Sequence, residues 1–129
     1  MRLATLSTWE KFAPCEKFGV FASNFNCFGK WEIGDILIIF IGKEGLVETV
    51  IAGNAFHSEE VIWENDLYEW RIPIRIEKKL TGPKGASINR SIKEELCRSV
   101  GSNYGYLLRN HTKIDSDIEK AILTAIRNR

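Results

Sequence analysis

The chain has 129 residues, 44% hydrophobic and 27% charged, with a formal net charge of +1. That is the composition of one ordinary globular domain, residues 1–129, large enough to bury its own core. It excludes a protein that coats nucleic acid by charge alone, and no apolar run approaches the roughly 18 residues of a membrane span.

The elements can be read in chain order. "RLATLS" is a first short strand. Ser7-x-x-Glu10 has the form of a capping box and predicts a helix through "TWEKFAPCEKF", kinked or interrupted at Pro14 and ended by Gly19. "GVFASN" reads as a strand, since Val and Phe favour a pleated surface. Alternation would then put Phe21 and Phe25 on one face, leaving Phe18 and Phe28 to the core. The turn "IGD" launches "ILIIFIG", a continuous apolar run of the length of a buried strand. "GKEG" connects it to a return strand, "LVETVIAGNAF", in which Gly53 marks a bulge or a close approach.

"HSEEVIWENDLYE" is acidic with apolar islands and reads as a loop. "WRIPIRIEKKL" alternates strictly: Trp70, Ile72, Ile74 and Ile76 face one side, and Arg71, Pro73, Arg75 and Glu77 the other. Pro73 predicts an edge strand or a bulge. "TGPKGAS" is loop chemistry without the spacing of a P-loop. Ser91-x-x-Glu94 predicts the start of a helix with Ile92, Leu96 and Val100 on one face. Ser116-x-x-Glu119 predicts a last helix with Ile118, Ile122 and Ile126 as its buried stripe. Strands that pair as hairpins with helices around them predict an α+β fold: a small, curved, mostly antiparallel β-barrel with packed helices.

Little in the chain points to catalysis. His57 and His111 stand far apart and outside any metal-ligand spacing, His57 as an exposed loop residue and His111 as a polar connector. No nucleophile elbow occurs, and Cys15, Cys27 and Cys97 form no C-x-x-C pair and read as buried free thiols. The expectation is a domain that is not an enzyme, without a metal or cofactor. The N-terminus lacks the pattern of a signal peptide, so the cytoplasm is the expected location.

Charge is unevenly distributed. Glu44 to Glu69 holds seven acids and no Lys or Arg, while Arg71 to Arg98 holds eight basic residues and three acids. Such a basic segment supplies candidate phosphate contacts at Arg71, Arg75, Lys78, Lys79, Lys84 and Arg90. The plainer reading is solvated charge, or pairing with the acidic segment. Trp63 lies in the acidic stretch, where an indole either plugs the core or offers a flat face. Phe21 and Tyr68 are candidate further walls, and Asn24 and Asn26 carry amides able to read base edges. Aromatic faces, amides and cations together are what holding one unstacked base requires.

The succession "GVFASN", "WEIGDILIIFIG", "ETVIAGNAF", an "IW" loop, "WRIPIRI" and "LLRNHTKIDSDIEKAI" resembles the PUA-like superfamily, and within it the EVE and YTH branch. The resemblance implies a compact barrel that binds a modified base, such as a methylated adenine or cytosine, in an aromatic cage. By position it implies Phe21 where the family has the Trp of "GVW", Trp63 as the cage Trp, and Tyr68 as a third wall. Phe21 departs from that pattern, and a benzene ring stacks less strongly than an indole. DNA is the favoured partner and RNA the second. The resemblance also implies a specificity module of an McrB-type restriction system. A downstream GTP-hydrolysing AAA+ motor and a nuclease partner would then lie outside this chain, and a chain that stops with its last helix suits such a module. The alternatives are an RNA-binding PUA-like domain without modified-base reading, a nucleotide-binding sensor on the same barrel, and a protein-interaction domain docking through its acidic segment.

Overall fold

The computed structural model describes residues 1–63, 67–101 and 114–127. Strands β1 (Arg2–Leu6), β2 (Val20–Ser23), β3 (Ile36–Ile41), β4 (Gly45–Ile51), β5 (Phe56–His57) and β6 (Trp70–Leu80) form one curled, mostly antiparallel sheet. Helices α1 (Trp9–Phe18), α2 (Gly82–Val100) and α3 (Ser116–Arg127) pack against it. The predicted α+β class and the curved sheet are present. The sheet runs β1-β3-β4-β6-β2, with β5 beside β6, and is a half-barrel whose end strands are β1 and β2. Among the described residues only the β1–β3 pair is parallel. No helix among the described residues is long and apolar enough to cross a membrane.

The apolar run of β3 is explained by burial on both faces. Leu37, Ile39 and Ile41 join an inner core with Val47, Ile51, Ile72 and Ile74, which α1 covers with Phe12 and Cys15. Ile38 and Phe40 point the other way, into an outer core with Leu3 and Leu46 that α2 and α3 cover with Ile92, Leu96, Ile122 and Ile126. Period-two alternation thus serves two cores from one strand.

Strand β6 changes face along its length. Ile72, Ile74 and Ile76 face the inner core as their alternation predicts. Glu48 then opposes Lys78 while Thr49 opposes Ile76, so Glu77 is an extra residue in a bulge. Beyond it Leu80 faces the outer core. Pro73 is not at an edge. It lies beside β2 on one side, and its carbonyl accepts from Ala52 N–H (2.9 Å) on the other. Its missing donor falls where the β4 ladder has ended and β5 has not begun. Gly53 is the close approach there: a Cβ on it would stand 2.9 Å from Pro73 Cγ.

The helix starts shift from their predicted positions. Thr8, not Ser7, caps α1, accepting from Lys11 N–H at 3.3 Å. Pro14 is accommodated within that helix, and Gly19 ends it in the left-handed conformation at φ 67°. The stretch expected as the loop "TGPKGAS" opens α2 instead, with Thr81 as cap and a Pro in the first turn. Ser91 therefore lies inside a helix. Asp115, not Ser116, caps α3: its carboxylate accepts from Asp117 N–H and its carbonyl from Glu119 N–H. The C-terminal end of α3 is tied to the sheet. Lys78 Nζ donates to Ile126 O at 2.9 Å, and Arg127 pairs with the buried Glu48 at 3.0 Å. These cations suit the negative end of a helix dipole. His111, the "LLRNHTK" part of the closing motif and the Val100 side chain lie outside the described residues.

Ile92 is 1% exposed at the centre of the outer core. Ile92→Ala is expected to lower stability by about 2–5 kcal/mol, read as a lower urea midpoint at unchanged m-value.

Candidate functional site

The two end strands of the sheet meet at a cavity of about 270 Å³. Thr5 and Leu6 of β1 line one side; Phe21, Ala22 and Ser23 of β2 line the other; Asn24, Trp63 and Tyr68 complete the wall. All three predicted rings and one of the two predicted amides therefore reach one cleft. Trp63 and Phe21 are largely buried, 6% and 4% exposed, so each serves the inner core as well as the cleft. Asn26 is not part of this lining. Its Oδ1 accepts from Phe28 N–H at 3.3 Å, which closes a local turn.

Backbone alternation places main-chain groups at the same seam. Leu6 O accepts from Gly42 N–H at 2.7 Å, on the β3 side. Thr5, one residue earlier, therefore turns its N–H and C=O toward the side of β1 away from β3. Gly19 O accepts from Ile74 N–H at 2.8 Å, and Phe21 lies opposite Ile72. Ala22 stands between bonded pairs and turns its N–H and C=O away from β6. Thr5 and Ala22 both line the cavity.

Each ring is fixed from behind. Phe21 stacks on Trp31 at 6.3 Å with an interplanar angle of 13°, and meets Phe28 edge-on at 6.4 Å. Trp63 donates its indole N–H to Lys11 O at 3.1 Å. Tyr68 meets it at 84° with ring centroids 5.1 Å apart. Tyr68 itself has φ 45°, a left-handed conformation uncommon for a bulky residue and typical of sites where the surroundings hold the chain in place.

Arg71 does that holding, and it corrects the sequence reading. It was expected among the phosphate contacts, but it is 3% exposed. Its guanidinium donates to Tyr68 O (3.1 Å), Leu67 O (3.2 Å), Ser58 Oγ (3.1 Å) and Glu60 O. Its Cζ also sits 5.4 Å from the Trp63 ring centroid. One planar fork therefore ties both limbs of the loop that carries the cleft wall. Alternation gave the correct side of the strand but took that side for solvent, where the loop folds back over it.

The other predicted cations do not form one strip. Arg75 pairs with Glu77 at 2.7 Å, Lys78 secures α3, and Lys79 pairs with Glu16 at 3.0 Å. Lys84 and Arg90 are exposed on α2, which covers the outer core, whereas the cleft opens from the inner one. The cations beside the cleft are Lys11 and Lys17 of α1, in a larger groove of about 730 Å³ that shares Trp63 and Tyr68 with the cavity. Sequence reasoning missed them because it sought a basic cluster, and these two belong to a helix of mixed charge. Two aromatic expectations also change. Phe18 is 45% exposed rather than core, and Phe25 lies past the end of β2 and is 63% exposed.

The cysteines differ from one another. Cys15 lines the cavity and is buried, Cys27 is half-buried, and Cys97 is exposed. Burial pushes the Cys15 thiol from 9.0 up to about 12, and a backbone hydrogen bond offsets only part of this. Cys27 is raised for the same chief reason. Among the described residues, no group of His, Cys, Asp and Glu could hold a metal ion. Compared with protein-family models and with curated proteins, the chain matches none.

The Cys15 shift fixes a pH dependence. The folded thiol keeps its proton where the unfolded one loses it, so its contribution to stability is complete below pH 9.0 and is lost as pH rises toward about 12. At pH 8, iodoacetamide is expected to alkylate Cys97 readily and Cys15 only after unfolding; mass spectrometry of the digested protein reads the difference. Arg71→Lys keeps the charge but loses the fork. It is expected to expose the segments 58–60 and 67–68 to limited proteolysis and to red-shift tryptophan emission, while the far-UV spectrum stays unchanged.

Proposed function

We propose that the protein recognises nucleic acid by drawing one base out of its stack into the cleft between β1 and β2, with preference for a methylated base. The observation that carries this reading is the convergence of Phe21, Trp63, Tyr68 and Asn24 on one cavity of about 270 Å³. Drug-sized ligands occupy pockets of about 300–1,000 Å³, so this space suits a single flat ring system. The aromatic walls replace the stacking that the base gives up, at roughly 1–3 kcal/mol per base. Asn24, with the edge groups of Thr5 and Ala22, supplies donors and acceptors for the rim of the base. A methyl group buried against these walls adds about 0.8 kcal/mol, near fourfold in affinity.

The net charge of +1 supports the same view. A protein with few free cations at its cleft draws little affinity from phosphates and must draw it from the base.

The test is a titration of single-stranded DNA and RNA oligonucleotides carrying one N6-methyladenine or 5-methylcytosine, against unmodified controls. Wild type is expected to favour a methylated strand about fourfold or more. Ala22→Leu, which fills the cavity from a half-buried position, is expected to abolish that preference, and Asn24→Ala to weaken binding of every strand. Equal binding of all strands by wild type and both variants sinks the reading.

A further inference from the structure

The cleft has a neighbour that the proposed reading leaves without a task. Between α1 and the 60–63 segment runs the groove of about 730 Å³, and Trp63 and Tyr68 line both it and the base cavity. A base held against those rings therefore leaves its own strand at the mouth of this groove. The C-terminal end of the groove is built from Lys17 and Phe18. Phe18 is 45% exposed although it is a large apolar ring, and Lys17 Nζ stands 5.4 Å from its centroid. A half-exposed aromatic ring with a mobile-stemmed ammonium over it combines a platform for a base with a contact for its phosphate. Glu10 and Glu60 also line the groove, Glu10 with Thr8 at the opposite end of α1. At about 1.5 Å rise per residue, Glu10 and Phe18 are about 12 Å apart along the helix. The acids leave the groove without a general attraction for polyanions and confine phosphate contact to the Lys17 end.

We infer that this groove is the channel for the nucleotides flanking the extruded base, with Phe18 as a stacking platform and Lys17 as the phosphate contact. The inference rests on the base-cleft reading and assigns its substrate class: a single-stranded or locally unpaired strand, since a paired base cannot stack on Phe18. The basic residues of α2 take no part in it.

The full-length chain tests this with two probes, the free methylated nucleoside and a single-stranded pentanucleotide with the same modified base at its centre. Phe18→Ala and Lys17→Gln are surface changes that leave both cores intact. Phe18→Ala is expected to weaken the pentanucleotide by about fivefold or more. Lys17→Gln is expected to flatten its log–log salt slope by about 0.7. Nucleoside affinity stays at the wild-type value in both. Wild-type pentanucleotide binding by both variants overturns the channel, as does an equal loss of nucleoside and pentanucleotide, which would place the defect in the cavity. If the nucleoside fails to bind wild type while the variants still weaken the pentanucleotide, the cleft reading falls, and with it the role of the groove as a path for nucleotides flanking an extruded base; strand contact at Phe18 and Lys17 is what then stands.

Discussion

Burial of the sheet on both faces is the constraint from which the rest follows. With α1 on the inner face and α2 and α3 on the outer, each central strand supplies two cores in alternation. A one-residue slip would exchange the two sets. The bulge at Glu77 allows β6 to serve the inner core with one half and the outer with the other. Thr49, which is fully buried, is accommodated because its hydroxyl donates to Leu37 O at 2.8 Å. Such a sheet has little polar backbone to offer a ligand along its middle. Among the described residues the strand order ends at β1 and β2, and curling brings Thr5 and Leu6 of one and Phe21, Ala22 and Ser23 of the other to one cavity. The site is thus a consequence of the sheet staying a half-barrel.

A cleft at an open seam needs a rigid third wall, and here that wall is a loop. Loops hold a functional geometry less well than strands unless something ties them down. Arg71 is rooted on β6, the longest strand, and converges on acceptors from Ser58, Glu60, Leu67 and Tyr68. A buried guanidinium is costly unless paired or well hydrogen-bonded. Four acceptors and the face of Trp63 meet that need, and the same contacts fix the indole. Lysine could not do this, because an ammonium lacks the planar fork. The left-handed Tyr68 belongs to the same device: the chain turns there so that its carbonyl reaches Arg71 while its ring reaches Trp63.

Much of this was legible in the sequence, and what was not has physical reasons. The "ILIIFI" run announced a strand buried on both faces, and the alternation of "WRIPIRI" gave the correct side for each residue up to the bulge. The three rings could be named as candidates because large aromatics at a strand end and in a polar loop are few. Their convergence could not be read, since it depends on how far the sheet curls. The capping boxes misled by one residue at Ser7 and Ser116 because adjacent hydroxyl and carboxylate residues compete for the same role. The start of α2 was hidden because "TGPKGAS" carries two glycines and a proline, which read as a loop unless the proline falls in the first turn. The phosphate set failed for a different reason: sequence records that a cation is present, not whether a neighbour already engages it.

That last point bears on how the protein would discriminate. Arg71, Arg75, Lys78 and Lys79 are each committed to a partner within the fold. Arg71 and Lys78 bind backbone carbonyls and so serve the structure, while Arg75 and Lys79 each carry an acid beside them in an exposed pair, which lowers the local positive field without changing the net charge. Non-specific binding scales with the number of phosphates neutralised, whereas the contribution of a ring-lined cavity does not depend on strand length. A site with few cations and fixed rings has a low background and a large fractional response to a change on one base, such as an added methyl group. On the proposed reading, a small domain would gain such selectivity by keeping few cations beside the cleft, and four of the basic residues after Tyr68 already engage partners within the fold.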